Sequence, residues 1–330
     1  MQDTVQFSGQ CSVLVVIVNY RTSHLVVECL RSLVHEVTSL PGVHVAVVDN
    51  ASGDDSVARI GGVIESEGWS SWATLIPSHH NGGYAYGNNF AIRPALQSVN
   101  PPDYLWLLNP DTLSRPGALA KLVDFLEHHP TIGIAGSSFE NQDSSLWPTA
   151  FRFPSILGEL EGGFRLGIVS KLLKPWSMSR VMTPEEQRVD WIPGASMMIR
   201  RQVFESIGLM DEKYFLYYEE TDFCLQAKRA GWDCWYVPQS RVMHIAGQST
   251  GVTVRDQRPK RIPQYWFDSR RRYFLKNHGW LYAAIADLCW IVGFGCWRLR
   301  RQIQRKPDYD PPELLGDSIR NSVFFKLDRV

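Results

Sequence analysis

The feature that most constrains this chain is an alternation of two segment types between positions 13 and 126. VLVVIVN (Val13–Asn19), VHVAVVD (Val43–Asp49), WATLIP (72–77) and DYLWLLN (103–109) are short, continuous apolar runs. Runs of this length, rich in Val and Leu and bounded by polar turns, are what strands buried on both faces of a parallel sheet look like. Helical patterns separate them. Ser23 is positioned to cap a helix that carries Val26, Leu30, Leu33 and Val37 on one face. Ser114, with Pro116 in the first turn, opens another through Leu119, Leu122, Val123 and Leu126. Strand–helix alternation predicts an α/β fold, a Rossmann-like and mostly parallel sheet flanked by helices. Ligands of such sheets bind outside the carboxyl ends of the strands. Polar residues of this sequence gather at those ends.

Composition narrows the function classes. The 34 basic and 34 acidic residues cancel, and a dedicated nucleic-acid binder would carry a basic surplus, so no nucleic-acid partner is expected. The six cysteines (Cys11, Cys29, Cys224, Cys234, Cys289, Cys296) form no CxxC pair, which points to reduced thiols in a cytoplasmic protein rather than zinc or a disulfide framework. MQDTVQFSGQCS lacks a basic region followed by an apolar one, and reads as no signal peptide. At the other end, Trp280 to Trp297 is apolar apart from Asp287, and RLRRQIQRK follows. Two readings stand: an interfacial helix anchored by Arg298, Arg300, Arg301 and Arg305, giving peripheral membrane contact through 280–306, or a buried C-terminal helix with a basic tail.

Between 140 and 189 the pattern loosens, with Pro148, Pro154, Pro175 and Pro184, and reads as an excursion over the sheet, a lid or acceptor loop. From Asp190 order returns: a strand over 191–199, a helix, an acidic segment and a strand near Cys234. The division expected is a catalytic domain over 1–250, with a nucleotide-sugar half about 11–140 and an acceptor half about 141–250, and a helical extension over 251–330.

The chemistry sits at the strand ends. Asn19 and Tyr20 close the first, and Asp49 and Asn50 the second. Asn81, Gly82 and Gly83 through Asn88 and Asn89 follow the third, and Asn109–Pro110–Asp111 the fourth. An Asp at such an end accepts hydrogen bonds from a ribose or a base imide, and a glycine-rich turn opening a helix lets backbone N–H groups approach a diphosphate. Each element alone is equally turn and capping chemistry. Asp111 can hold Mg2+ or Mn2+, an ion that takes its other ligands from substrate phosphates. Glu219, Glu220 and Asp222 put three acids within four residues; crowding raises carboxyl pKa values toward a general base's working range, though the same acids suit the first turn of a helix. His244, as a neutral imidazole, could complete a metal shell.

Together these residues resemble the large family 2 of glycosyltransferases with the GT-A fold, over about 13–251. VVIVNY and VVDNASGD are similar to that family's nucleotide-binding half, and the resemblance implies that Asp49 reads the base. Asn81 through Asn89 resembles the segment lining the diphosphate-sugar. Asn109–Pro110–Asp111 lies where the family's Asp-x-Asp metal motif belongs, with Asn at the first place, so Asp111 is the implied metal ligand. Trp191–Gly194–Ala195 resembles a strand near the acceptor. Phe215 to Asp222 resembles F-L-Y-G-E-D-x-D, which implies Glu220, in place of Asp, as catalytic base. Val237–Pro238 followed by His244 matches the ending whose His contacts the metal. Pro148 to Pro154 is similar to a segment of the rhamnosyltransferase branch, which implies dTDP-L-rhamnose as donor. The implied enzyme inverts configuration, uses Mg2+ or Mn2+ and a nucleotide-sugar, and works on a saccharide or lipid-linked acceptor at the cytoplasmic face of a membrane. Two rivals remain: a relative that binds sugar or nucleotide without turnover, and a sugar nucleotidyltransferase. The second is disfavoured by the first strand's glycine-free exit, Asn19–Tyr20–Arg21–Thr22.

Overall fold

The computed structural model describes residues 11–326 other than 142, 144, 148, 149, 181 and 246–258. The first ten residues, on which the signal-peptide reading rests, and Pro148 and Thr149 of the Pro148–Pro154 segment lie outside the described residues.

The apolar runs are strands: β1 (Val13–Asn19), β2 (Val43–Asp49), β3 (Ala73–Pro77) and β4 (Tyr104–Leu108). They lie parallel in the order β3-β2-β1-β4. Helices α1 (Ser23–Ser39), α2 (Ser56–Ser66) and α3 (Gly83–Leu96) connect them. Val13, Val15 and Ile17 of β1 enter one core with α1 and α2, whereas Leu14 and Val16 enter a second core with α3. A strand covered on both faces has no polar face to show, which is why β1 reads as an unbroken apolar run.

Beyond β4 the parallel order stops. A short β5 (Thr112–Ser114) precedes α4 (Ala118–His128), followed by β6 (Ile132–Glu140), β7 (Leu146–Trp147), α5 (Ile156–Phe164), α6 (Gly167–Leu172) and β8 (Gln187–Val189). Then come β9 (Ser196–Arg200), α7 (Arg201–Ile207), α8 (Glu219–Arg229) and β10 (Asp233–His244). Strand β9 runs antiparallel between β4 and β6; β10 is parallel to β6 and antiparallel to β5 and β8. The sheet is therefore mixed, with a parallel first half and a largely antiparallel second half.

Three local expectations shift. Thr22, not Ser23, takes the N-cap position of α1, and its side chain makes no cap bond. Ser114 ends β5 rather than opening α4, which starts after Gly117. There the Glu36 carboxylate of α1 accepts from the backbone N–H groups of Gly117 (2.7 Å) and Leu119 (3.1 Å). The strand expected over 191–199 begins only at Ser196, because Pro193 and Gly194 form a turn before it.

The C-terminal segment is α9 (Gln264–Ile303), broken at Gly279 by a φ of 81°, and α10 (Leu314–Arg320). Its apolar half is neither wholly core nor wholly free. One face packs on α5, so closely that a Cβ on Gly163 would stand 2.9 Å from the Trp290 carbonyl oxygen. The same face carries a buried ionic triad: Arg270 donates to Glu159 of α5 (2.8 Å) and to Asp287 across the break. The other face is exposed. Three of the four arginines expected as anchors are engaged with protein. Arg298 and Arg301 pair with Asp308 (2.9 and 2.8 Å), and Arg300 donates to the carbonyls of Phe164 and Arg165.

Candidate active site

Strand register aligns the polar ends. Asn19 pairs with Asp49 and Asp49 with Pro77, so the exits of β1, β2 and β3 form one ledge. On it the Asn19 amide donates to Asp49 Oδ1 (2.7 Å), and the Ser52 hydroxyl and N–H donate to the same carboxylate (2.6 and 3.1 Å). Asn19 Oδ1 in turn accepts from the N–H and hydroxyl of Thr22. Both residues are buried, and their hydrogen-bonding capacity is largely spent on shaping the loop. The exposed groups at this ledge are the neighbours, with Arg21 in left-handed backbone (φ 57°) and its guanidinium 5.2 Å from the Tyr20 ring.

The glycine segment closes against the protein itself. Gly83 has a φ of 88°, and a Cβ there would lie 1.9 Å from the Phe215 carbonyl oxygen. That oxygen accepts from the Tyr84 N–H at 2.8 Å. A Cβ on Gly82 would meet the Tyr86 ring. The Asn50 amide donates to Asn81 Oδ1 and to the Gly83 carbonyl (both 3.0 Å). Asn88 and Asn89 are buried, with Asn88 Oδ1 left without a hydrogen-bond partner among the described residues. Asn88 donates to the Tyr84 carbonyl (2.9 Å), and Asn89 to the Met210 carbonyl (2.8 Å) and to Glu212 (2.9 Å). These close approaches dock the opening of α3 onto the loop that leads into α8. Close packing against Phe215 and Tyr86 is what requires glycine at these two positions.

Asp111 follows β4 and His244 ends β10. Because His244 is registered opposite Thr112, its Nε2 comes 3.2 Å from Asp111 Oδ1. Both side chains are at least nine-tenths buried, and the Phe139 ring lies edge-on to the imidazole. A carboxylate beside an imidazole at a sheet's carboxyl edge suits Mg2+ or Mn2+. Among the described residues no third His, Cys, Asp or Glu joins them as a metal-ligand set, so such an ion would complete its shell with phosphate oxygens and water. Asn109 lies two residues before, its N–H donating to the Ala195 carbonyl (3.2 Å) and its carbonyl accepting from Thr112.

The acid cluster forms the first turn of α8, entered through Tyr217 and Tyr218, both in left-handed backbone (φ 70° and 69°). Two successive non-glycine residues there cost on the order of 1 kcal/mol each, and neighbours hold them. The Tyr218 ring packs on Tyr273 and Trp266, and Ser269 donates to the Leu216 carbonyl (3.0 Å). Glu220 Oε1 accepts from the Gly194 N–H (3.3 Å). Burial pushes the Glu220 carboxyl above its ordinary range, an effect opposed by its own N–H, by that of Gly194 and by Glu219. Glu219 is raised further, first by burial and then by the charge of Glu220. Burial thus raises both carboxyls of the pair, and the Gly194 N–H contacts Glu220. Asp222 is occupied elsewhere, accepting from Lys276 (2.6 Å) and Asn277 (2.6 Å) of α9. Trp191 donates to the Arg152 carbonyl (2.9 Å) and stacks on Phe151.

One residue not foreseen as a site residue joins these parts. The Tyr84 hydroxyl donates to the Gly194 carbonyl at 2.9 Å. Burial raises its pKa well above the ordinary phenol value, and the charges of Glu220, Glu219 and Asp111 raise it further. The phenol is linked through Gly194 to Glu220, whose carboxylate accepts from the N–H of the same glycine. Its signal was present, since Tyr84 follows Gly83 directly. Lys276 and Asn277, some fifty residues beyond Asp222, carried none.

Comparison with known proteins defines the class. The profile of glycosyltransferase-like family 2 matches residues 10–261, and the chain belongs to that family. Its sequence is 29% identical over 187 residues to N-acetylglucosaminyl-diphospho-decaprenol L-rhamnosyltransferase of Mycobacterium tuberculosis, covering 54% of this chain and 60% of that protein. The match thus spans well under two thirds of that relative's length. It is also 29% identical over 315 residues to the low-salt glycan biosynthesis hexosyltransferase Agl10 of Haloferax volcanii, covering 92% of this chain and 88% of the relative. The fold is similar to that of GalNAc-T7 solved with UDP, GalNAc and Mn2+, with a TM-score of 0.56 and 16% identity over 96% of this chain and 55% of that one. The architecture is thus GT-A, as the motifs implied.

Proposed function

We propose that this chain is an inverting glycosyltransferase moving one sugar, L-rhamnose from dTDP-L-rhamnose, to a hydroxyl of a saccharide or lipid-linked saccharide in cell-surface polysaccharide synthesis, at the cytoplasmic face of a membrane. The catalytic unit is 1–250 and the extension 251–330. The observation that carries the reading is that Glu220 accepts from the Gly194 N–H while the Tyr84 hydroxyl donates to the Gly194 carbonyl, with Asp111 and His244 paired where β5 meets β10. In this reading Glu220 is the proton acceptor and Asp111 with His244 the phosphate-directed pair.

Glu220 takes the proton of the acceptor hydroxyl as that oxygen attacks the anomeric carbon from the face opposite the leaving diphosphate. Glu219, buried beside Glu220, orients it or the acceptor. Tyr84 and Gly194 fix where Glu220 points, and the clamped Tyr217–Tyr218 turn fixes the start of α8. Asp111 and His244 would hold Mg2+ or Mn2+, and Asn19, Asp49, Asn50 and Asn81 frame the nucleotide ledge, with Tyr20 at its exposed rim. When bound, the ion neutralises charge on the departing diphosphate, so that no protein acid is needed there. For the donor, support comes from family membership and from the mycobacterial relative, whose name specifies L-rhamnosyl transfer. The Haloferax relative's name specifies only a hexosyl group. The test is incubation with a panel of nucleotide-sugars, followed by detection of released nucleoside diphosphate. dTDP from dTDP-L-rhamnose is the expected product; release from UDP-hexoses alone overturns the donor assignment, and release from none overturns the activity.

A further inference from the structure

We propose that the outward face of α9 beyond Gly279 is a docking surface for an anionic lipid bilayer, on which the helix lies flat. The inward face of this segment is committed to protein, through the Gly163–Gly293 approach and the Arg270–Glu159–Asp287 triad. The outward face is a stripe: Leu281, Ile285, Leu288, Val292, Leu299 and Ile303, between 40 and 74% exposed. Their spacings of four, three, four, seven and four residues keep one side of a helix. At 1.5 Å per residue the stripe runs about 33 Å, far longer than an isolated surface leucine needs explaining.

By length and composition α9 is long and apolar enough to cross a membrane, but the same geometry opposes a spanning orientation. It would carry α5 and the triad into hydrocarbon, where charge is costly. A lipid surface fits because of what lies at the far end. The Arg300 bonds to the Phe164 and Arg165 carbonyls hold the turn from α5 into α6 beside that end. There Ile168 and Leu172 are 65 and 71% exposed. Lys171 and Lys174 are exposed beside them in sequence, Arg305 and Lys306 are exposed just past Ile303, and no acidic partner reaches these four among the described residues. Asp308 and Asp310, the nearby acids, are taken by Arg298, Arg301 and Arg165. Apolar side chains rimmed by unpaired cations are the signature of an interfacial helix on anionic headgroups. The consequence for the site is direct, since the first half of α9 holds Asp222 through Lys276 and Asn277. One element then touches both the acid-bearing helix and the bilayer.

The test does not depend on the sugar or the activity. The full chain is sedimented with vesicles of phosphatidylcholine alone and with vesicles also containing phosphatidylglycerol. The expected result is co-sedimentation with the anionic vesicles. Leu288→Glu with Val292→Glu should weaken the partition by at least about tenfold, given the apolar area withdrawn from lipid. Lys171→Glu with Lys174→Glu should weaken it comparably through charge. Val99→Glu, on an exposed loop far along the sequence, should leave it unchanged. Leu299→Glu with Ile303→Glu reads the same face at its most exposed end, should the first pair disturb folding. Unchanged partition of both stripe variants overturns the proposal. So does a wild-type chain that stays in the supernatant with both vesicles, or a concentration-dependent dimer that the stripe variants dissolve.

Discussion

Replacing Gly83 with Ala tests how the two halves of the site are joined. The added Cβ would stand 1.9 Å from the Phe215 carbonyl oxygen, at a φ of 88°. A left-handed conformation costs an L-residue roughly 1–2 kcal/mol. Moving the Phe215 carbonyl forfeits its bond from the Tyr84 N–H, worth about 1 kcal/mol net. The sum is about 2–3 kcal/mol of destabilisation, and side-chain rotation cannot relieve it because the obstructing atom is backbone. Phe215 leads into the Tyr217–Tyr218 turn and so into Glu219 and Glu220. Turnover per folded molecule should therefore fall together with stability. Urea unfolding followed by tryptophan fluorescence measures the first quantity, and nucleoside diphosphate release at matched folded fraction the second. Gly62→Ala is the control: in α2, with ordinary φ and nothing within 4 Å of the added carbon, it should stabilise by about 0.5–1 kcal/mol. If Gly83→Ala behaves like Gly62→Ala in both measurements, the docking of α3 on the Phe215 loop is not what holds the site.

Three further outcomes follow from the same geometry. Asp111→Ala should abolish metal-dependent donor binding in calorimetry, and EDTA should do the same to the wild type; donor binding indifferent to both refutes the metal assignment. Because burial raises the Glu220 carboxyl, the base is lost as pH falls through a pKa above its ordinary 4.5, so the acid limb of kcat should lie higher than a free glutamate's. A limb at or below that value contradicts the buried-base reading. Asp287→Leu, which a membrane-spanning helix would welcome, should destabilise the chain by about 3–5 kcal/mol because Arg270 loses a buried partner; a neutral or stabilising effect in urea melts would undo the packing described for α9.

Much of this was legible in the sequence where burial is two-sided. β1, β2 and β4 announce themselves because strands covered on both faces have only apolar residues to show. The second half hides more. β9 begins five residues later than its apolar run suggests, since Pro193 and Gly194 turn the chain before the ladder forms. The start of α4 is set by Glu36, eighty-one residues away from Gly117, which no local capping rule could find. At the site, residue types were legible but orientations were not. Asn88 and Asn89 look like ligand-facing amides, yet their Nδ2 groups are spent on the Tyr84 and Met210 carbonyls and on Glu212, whereas Asn88 Oδ1 is buried without a partner among the described residues. Asp49 reads as a free carboxylate until the register sets Asn19 beside it. Lys276 and Asn277 could not be foreseen, because their connection to Asp222 exists only once α9 folds back on α8.

The central claim is that Glu220 accepts the acceptor's proton while Asp222 only holds α8 in place. The most direct measurement compares single-turnover sugar transfer by Glu220→Gln and Asp222→Asn at matched folded fraction. Glu220→Gln keeps size and hydrogen bonding but loses the basic oxygen, so the rate should drop by about 10²–10⁴-fold with donor affinity retained. Asp222→Asn should lose stability through Lys276 yet keep most of its turnover. Near wild-type transfer by Glu220→Gln, with Asp222→Asn inactive though folded, would contradict the account.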